Sequence, residues 1–210
     1  MEGINHEINF WKGFVKTERF KNNWLSTVKN PELNQEVYDF IRSAIKPDSI
    51  VLDVGSGVCS ILRGSIPDEC LITSDPLSES YASLFDYSSH RIDKPLSYGA
   101  ENIPFKDEID IVHISNALDH STDPMVGYER LLEAVKPGGY LIVQGFVDEG
   151  MFENYSGLHQ WNISIVNNCL SISNKDGSKK CSYDGNCIIA KIVKLETGKN
   201  WFIWVVQKPF

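Results

Sequence analysis

The chain has 210 residues, with 20 Lys and Arg against 28 Asp and Glu, which gives a formal net charge of −8. This length suits one α/β domain with a single core, and it is short for a nicotinamide enzyme that carries a separate substrate domain. The negative balance and the lack of a basic run disfavour binding to nucleic acid or to an anionic membrane. We therefore expect a small neutral or cationic ligand, no nucleic-acid partner and no membrane partner.

The first residues and the cysteines indicate a cytoplasmic protein. The N-terminus is acidic and polar, unlike a signal peptide, and no apolar stretch approaches the roughly 20 residues that span a bilayer. The five cysteines lack paired Cys-x-x-Cys spacing, so neither a disulfide framework nor a zinc site is indicated. A bridge between Cys181 and Cys187 is the less favoured alternative to free thiols.

The N-terminal segment, residues 1–46, reads as two helices separated near Pro31, because apolar side chains recur at helical spacing. Many of these side chains are aromatic. A helix packed on the edge of a sheet explains them most simply. The sharper alternative is a lid over an acceptor pocket, with Trp11 or Phe14 facing the substrate.

Residues 49–57 read as a buried parallel strand that ends in a glycine turn. Gly55 and Gly57 allow a ligand to approach the backbone closely, and a short helix over residues 58–65 is expected to follow. Asp53, at the end of the strand, places a negative charge beside this turn. The charge disfavours a pyrophosphate and favours a cationic ligand.

A second strand over residues 71–76 ends in Asp75, which lies 22 positions after Asp53. This interval is close to the roughly 20 residues expected when the carboxylate of the second strand binds ribose hydroxyls. The alternative role is a helix N-cap, since Asp before Pro76 is also a helix-start signal.

The rest of the chain continues an alternating pattern. We expect a short third strand near residues 96–105, a fourth strand over 107–115, an amphipathic helix over 127–135 and a fifth strand over 140–144. Residues 161–173 read as a hairpin, residues 174–186 as a polar mobile loop and residues 201–206 as an antiparallel last strand. The predicted fold is a Rossmann-like, doubly wound α/β sheet, mostly parallel, with N-terminal helices.

Several of these motifs together resemble the class I S-adenosylmethionine-dependent methyltransferases, in particular the small-molecule enzymes of the type 11 domain. The resemblance covers about residues 47–146. It is carried by the first strand with Asp53-Val54-Gly55-Ser56-Gly57, by Asp75, and by Lys136-Pro137-Gly138-Gly139 before an apolar strand. Cys59 stands where the family has a third glycine.

The resemblance implies S-adenosyl-L-methionine as cofactor and a single domain. That domain comprises a helical cap (1–46), a cofactor-binding core (47–146) and C-terminal strands with an acceptor-side insertion (147–210). In such enzymes Glu101 and Asn102 would lie beside the adenine. The ten expected cofactor-binding residues are Asp53, Gly55, Ser56, Gly57, Asp75, Pro76, Glu101, Asn102, Ser115 and Asn116.

The expected catalytic residues follow the fourth strand, where the methyl acceptor must approach. His120 is the first choice for a general base, His159 the second, and Asp119 an orienting partner. His113, in mid-strand, is expected to be a core residue, and no metal is expected.

The expected function is methyl transfer to a small molecule, with a sugar or nucleotide-linked sugar of surface polysaccharide synthesis as the acceptor class. A homodimer remains open. The alternatives are a non-catalytic cofactor-binding module, in which Cys59 marks a decayed turn, and an NAD(P)-dependent reductase.

Overall fold

A computed structural model describes residues 2–24, 31–180 and 186–210. The main sheet has six strands, in the order β2-β1-β3-β4-β9-β8. The first four of these are parallel, β9 runs antiparallel to β4, and β8 runs antiparallel to β9. These strands are β1 (Val51–Val54), β2 (Leu71–Ser74), β3 (Ile109–Ser115), β4 (Val135–Phe146), β8 (Asn186–Lys194) and β9 (Asn200–Gln207).

A second, three-stranded antiparallel sheet lies after β4, in the order β5-β6-β7. It consists of β5 (Trp161–Val166), β6 (Cys169–Asn174) and β7 (Gly177–Lys180). The predicted hairpin and the predicted antiparallel last strand are thus confirmed. Part of the expected loop over 174–186 is instead strand β7. Residues 181–185 lie outside the described residues, and with them Cys181 and its suggested pairing.

The described α-helices are α1 (Glu2–Phe14), α2 (Pro31–Ala44), α3 (Ser78–Tyr81), α4 (Pro124–Ala134) and α5 (Glu149–Phe152). The helix α4 begins where the sequence supplies both start signals. Asp123 caps it by accepting hydrogen bonds from Met125 N and Val126 N, and Pro124 stands at its first position. None of the described helices is long and apolar enough to cross a membrane.

Two layers of helix cover the parallel strands, whose side chains are buried on both faces. On one face, Val37 and Ile41 of α2 pack with Val51 and Ile111. On the other face, Leu131 and neighbouring residues of α4 pack with the alternate strand residues, such as Leu52 and Val112. This two-sided covering confirms the predicted Rossmann-like sheet.

The predicted helix over residues 58–65 is wrong, because this segment forms consecutive turns. Gly57 and Gly64 have φ angles of 63° and 75°, which a right-handed helix does not contain. The Ser60 hydroxyl donates to Asp53 and accepts from Leu62 N. Such local side-chain bonds offer the backbone an alternative to a helix.

The predicted third strand over residues 96–105 is reduced to a single bridge between Ser74 and Leu96. A 3₁₀ turn follows at Ala100–Asn102. Apart from this bridge, the described sheet therefore ends at β2 on this side.

A buried chain of polar side chains joins the central strands. Asp53 Oδ1 lies 2.7 Å from His113 Nδ1, and Gln144 Nε2 lies 2.9 Å from both His113 Nε2 and Asn34 Oδ1. The Trp201 indole N–H donates to Gln144 Oε1 over 3.3 Å. Since the Gln144 amide must donate to Nε2, the His113 proton is on Nδ1 and is donated to Asp53. His113 is thus the core residue that its mid-strand position predicted.

We expect Gln144→Leu to lower the free energy of unfolding by about 2 to 4 kcal/mol, because His113 Nε2 and Trp201 Nε1 both lose a buried partner. Urea unfolding followed by circular dichroism measures the change. The control Gln35→Leu alters an exposed residue of α2 and should shift stability by no more than about 0.5 kcal/mol. Equal stability of the two variants would contradict this role for the polar chain.

Candidate active site

The turn after β1 is tied to the end of β2. The backbone N–H groups of Gly55 and Ser56 donate to Ser74 O over 2.8 and 3.1 Å. Gly55 and Gly57 have φ angles of 68° and 63°, a left-handed conformation that costs glycine little. The two glycines of the predicted motif are therefore needed for the shape of this turn.

Asp75 holds the turn from the end of β2. Its Oδ2 accepts from Gly57 N over 2.9 Å, and its Oδ1 accepts from Leu77 N over 2.8 Å. The residue at the N-cap of α3 is Leu77, so Asp75 does not cap that helix. Burial raises the pKa of Asp75 to about 6, although the two backbone hydrogen bonds act to lower it.

Asp53 is buried among the central strands. Its side chain is 2% exposed, and its oxygens bond to His113 and to the Ser60 hydroxyl. A cofactor contact with this carboxylate therefore requires an exchange of partners. Its predicted role in cofactor binding stays a prediction.

Trp11 of α1 fills the space in front of the glycine turn. A Cβ on Gly57 would collide with the Trp11 indole ring, and a Cβ on Gly55 would collide with Ala117. The indole N–H donates to Glu7 Oε1 over 2.8 Å, and the ring lies 5.7 Å from the Tyr81 ring. The helix α1 thus covers the predicted cofactor site, whereas the sequence suggested a sheet edge or an acceptor pocket.

Two further predicted cofactor residues lie beside Asp75. A Cβ on Gly99 would lie 3.6 Å from the ring of Pro76, and Asn102 Oδ1 accepts from Gly99 N over 2.8 Å. Glu101 is turned towards α4, where its Oε1 accepts from Asp123 N over 2.9 Å. Pro76 and Asn102 therefore border the turn region, and Glu101 holds the loop in place.

Ser115 is the last residue of β3, and Asn116 follows it directly. Asn116 has a φ of 50°, and its Oδ1 accepts from Phe146 N over 3.2 Å. The cavity bordered by Asn116, Gln144 and Phe202 has a volume of about 10 Å³, enough for about one water molecule. The described conformation is closed at this point also.

A second polar cluster contains all three predicted catalytic residues. His159 Nδ1 lies 2.8 Å from Asp119 Oδ2 and 3.2 Å from His120 Nε2, and His120 Nε2 lies 3.6 Å from Asp119 Oδ2. Asp119 and His120 belong to the 3₁₀ turn after β3, and His159 precedes β5. Asp119 lies closer to His159 than to His120, so His159 is the histidine that it can orient in this structure.

Sequence reasoning missed a fourth member of this cluster, Glu149. Its Oε2 lies 3.9 Å from His159 Nδ1, and Lys199 Nζ lies 3.6 Å from its Oε1. The residue begins α5 directly after Asp148, which has a φ of 54°. No sequence motif marks such a position, because the contact arises from the way α5 packs against β5.

The charges of the cluster shift the pKa values of two members. Burial alone would lower the pKa of His159. The hydrogen bond and charge of Asp119, together with the charges of Glu149 and Glu153, outweigh the effect of burial, so the pKa is raised. Burial raises the pKa of Glu149, and the nearby charge of Asp119 raises it further. The charges of His159, Lys199 and His120 act to lower this pKa, but they do not offset the increase. Both shifts favour a proton held within the cluster.

Asp75 gives a testable dependence of stability on pH. Its pKa is raised from 3.8 to about 6 on folding, so its contribution is fully present below pH 3.8 and is lost as pH rises through 6. We expect the stability difference between the wild type and Asp75→Asn to change by up to about 3 kcal/mol between pH 3.5 and 7. Urea unfolding at both pH values measures it, and a constant difference would contradict the pKa shift.

Comparison with known proteins supports the same interpretation of the fold. Residues 52–143 match the model of a family described as a methyltransferase domain. A comparison of the sequence with curated proteins finds no match.

Three solved structures illustrate the structural similarity. An S-adenosylmethionine-dependent methyltransferase from Clostridium acetobutylicum is 10% identical, with a TM-score of 0.56 over 96% of this chain and 99% of that one. The N-methyltransferase NodS from Bradyrhizobium japonicum, in complex with S-adenosyl-L-homocysteine, is 8% identical, with a TM-score of 0.56 over 97% and 99%. An S-adenosylmethionine-dependent methyltransferase from Aquifex aeolicus is 12% identical, with a TM-score of 0.51 over 95% and 98%.

Identities this low show a shared fold, and the family match extends over the strands β1 to β4 that carry the glycine turn. The chain is therefore similar to a methyltransferase domain over residues 52–143, and it shares its fold with solved S-adenosylmethionine-dependent methyltransferases.

Proposed function

We propose that this protein transfers a methyl group from S-adenosyl-L-methionine to a small-molecule acceptor, with a sugar or a nucleotide-linked sugar as the expected class. The observation that carries the proposal is the arrangement of two polar groups of residues. One surrounds the glycine turn after β1, and the other follows β3. In an open α/β sheet, ligands bind beyond the carboxyl ends of the strands, where both groups lie.

The types of residue around the glycine turn suit an adenosyl cofactor. Asp75, which can accept two ribose hydroxyls, already holds the turn through Gly57 N. Pro76 and Asn102 border the same region and suit the adenine. We also propose cofactor contacts for the remaining predicted residues, which are Asp53, Gly55, Ser56, Gly57, Glu101, Ser115 and Asn116.

The cofactor can enter this region only after Trp11 has moved from Gly57. The described structure is therefore a closed conformation of the cofactor site. The cofactor, when bound, supplies the methyl group as part of a sulfonium. The protein's own task is to align the acceptor with it, and orientation of this kind can contribute roughly 7–11 kcal/mol.

The cluster after β3 suits an acceptor that must lose a proton. His120 Nε2 and His159 Nδ1 are 3.2 Å apart, so they can share a proton taken from an acceptor hydroxyl. Asp119, at 2.8 Å from His159, stabilises the positive charge that results. A hydroxyl-bearing acceptor such as a sugar fits this chemistry.

Two observations favour a second candidate, a non-catalytic module that binds the cofactor. Cys59 replaces the third glycine of the motif, and Asp53 is occupied by His113 and Ser60. An NAD(P)-dependent reductase is disfavoured, because the Asp75 carboxylate already takes the Gly57 N–H that a pyrophosphate would need.

The closed turn predicts that Trp11→Ala strengthens cofactor binding. In the wild type, the ligand must displace the Trp11 indole ring from Gly57, and exposing a buried apolar side chain costs about 1.5–3 kcal/mol. The alanine side chain leaves this space empty, so the variant avoids the cost. We expect the affinity for S-adenosylhomocysteine, measured by calorimetry, to rise about 10- to 100-fold.

The matched control for this experiment is Phe10→Ala. It removes an aromatic ring from the same helix that is 52% exposed, and it should leave the affinity nearly unchanged. Weaker binding by Trp11→Ala than by Phe10→Ala would show that the indole supports the ligand and does not exclude it.

The proposed transfer predicts that the protein releases S-adenosylhomocysteine when supplied with a suitable sugar or nucleotide-linked sugar. His159→Ala and His120→Ala should slow this release by about 10²- to 10⁴-fold while binding S-adenosylhomocysteine normally. His90→Ala, a control at an exposed histidine, should leave both unchanged. Tight cofactor binding without turnover on any acceptor would support the non-catalytic module.

A further inference from the structure

In the cluster that follows β3, the nitrogen and oxygen atoms face one another at a spacing close to that of metal ligands. Asp119 Oδ2, His120 Nε2 and His159 Nδ1 are separated by 2.8, 3.2 and 3.6 Å. Ligands at roughly 2.0–2.2 Å from a tetrahedral zinc ion lie about 3.3–3.6 Å from one another. The three atoms therefore need to move by less than an ångström, about 0.5 Å on this comparison, to surround one ion.

An independent observation points to a ligand at the same place. Glu149 is 6% exposed, and its Oε2 has no hydrogen-bond partner among the residues that the structure describes. That oxygen lies 3.9 Å from His159 Nδ1. A buried carboxylate oxygen without a partner is costly, and a bound cation would remove the cost.

The position of Glu149 is rigidly set by the packing of α5 on β5. Asp148 N donates to Ile163 O, and Met151 N donates to Asn162 Oδ1. A Cβ on Gly150 would lie 2.8 Å from Trp161 O, so the glycine allows the close approach of the two elements. A ligand held in this way is preorganised.

The balance of charge at the cluster also favours a cation. Asp119 and Glu149 are both buried, and among the described residues Lys199 places its ammonium 3.6 Å from Glu149 Oε1. Lys199 is shared with Glu153, to which it donates over 3.1 Å. The two carboxylates thus outnumber this shared ammonium, and their other neighbours in the cluster are the imidazoles of His120 and His159, which are themselves metal-ligand groups.

We propose that Asp119, His120, Glu149 and His159 bind a divalent transition-metal ion. Two imidazoles with two carboxylates suit Zn²⁺, Mn²⁺ or Fe²⁺. The site deepens the proposed methyl transfer, on which its functional meaning rests, because an ion here would take an oxygen of the acceptor as a fifth ligand. The histidines would then act as ligands, and the proton of a coordinated hydroxyl would leave to water.

The test is metal binding by the full chain after dialysis against a chelator. Zn²⁺ titrations followed by calorimetry should show one ion per chain, and Mn²⁺ should give a bound signal in electron paramagnetic resonance. Glu149→Gln should weaken binding at least about tenfold and His159→Ala more, because each loses a direct ligand. Circular dichroism checks that both variants remain folded.

Glu153→Gln is the matched control. It removes a more exposed acidic side chain that shares the partner Lys199, so binding should stay within about twofold of the wild type. A chain without saturable Zn²⁺ or Mn²⁺ binding would overturn the proposal. Equal affinities of the wild type, Glu149→Gln and His159→Ala would overturn it as well, since the ion would then be held elsewhere.

Cofactor binding separates this proposal from the proposed function. S-adenosylhomocysteine affinity is measured on the same metal-free samples. Loss of metal binding in Glu149→Gln with normal cofactor affinity supports the metal site. Normal cofactor binding and turnover by the metal-free wild type would reject a role for the ion and leave the proposed methyl transfer intact.

Discussion

The hydrogen bond between Asp53 and His113 is the constraint on which the centre of this structure depends. A carboxylate at the end of a buried strand must be paired, and here the partner comes from the neighbouring strand β3. Gln144 of β4 then fixes the other ring nitrogen and reaches Asn34 of α2. One polar chain thus sets the relative positions of three parallel strands and of the helix that covers them.

This pairing also determines which carboxylate is available to the glycine turn. With Asp53 buried among the central strands, Asp75 is the acidic group that contacts Gly57, and Trp11 closes the space in front of it. The proposed cofactor site is therefore covered by α1, while the cluster of Asp119, His120, His159 and Glu149 lies at the ends of other elements. We thus propose that separate groups of residues bind the cofactor and handle the acceptor.

The features of the fold that depend on hydrophobic periodicity and on turn residues could be predicted from the sequence. The buried strands, the capped helix α4 and the antiparallel β9 follow from such local patterns. The absence of a helix at residues 58–65 could not be predicted, because it depends on a buried hydrogen bond from the Ser60 hydroxyl to Asp53.

The rest of the site could not be predicted either, because it depends on packing between residues that are distant in the sequence. The contact of Trp11 with Gly57 joins residues 46 positions apart, and Glu149 reaches His159 only because Gly150 lets α5 approach β5. The proposed methyl transfer depends on the closed glycine turn being the cofactor site. Hydrogen–deuterium exchange with and without S-adenosylhomocysteine tests this most directly. We predict faster exchange in α1 and slower exchange at residues 55–57 and 77 when the ligand binds; ligand binding that leaves both segments unchanged would contradict it.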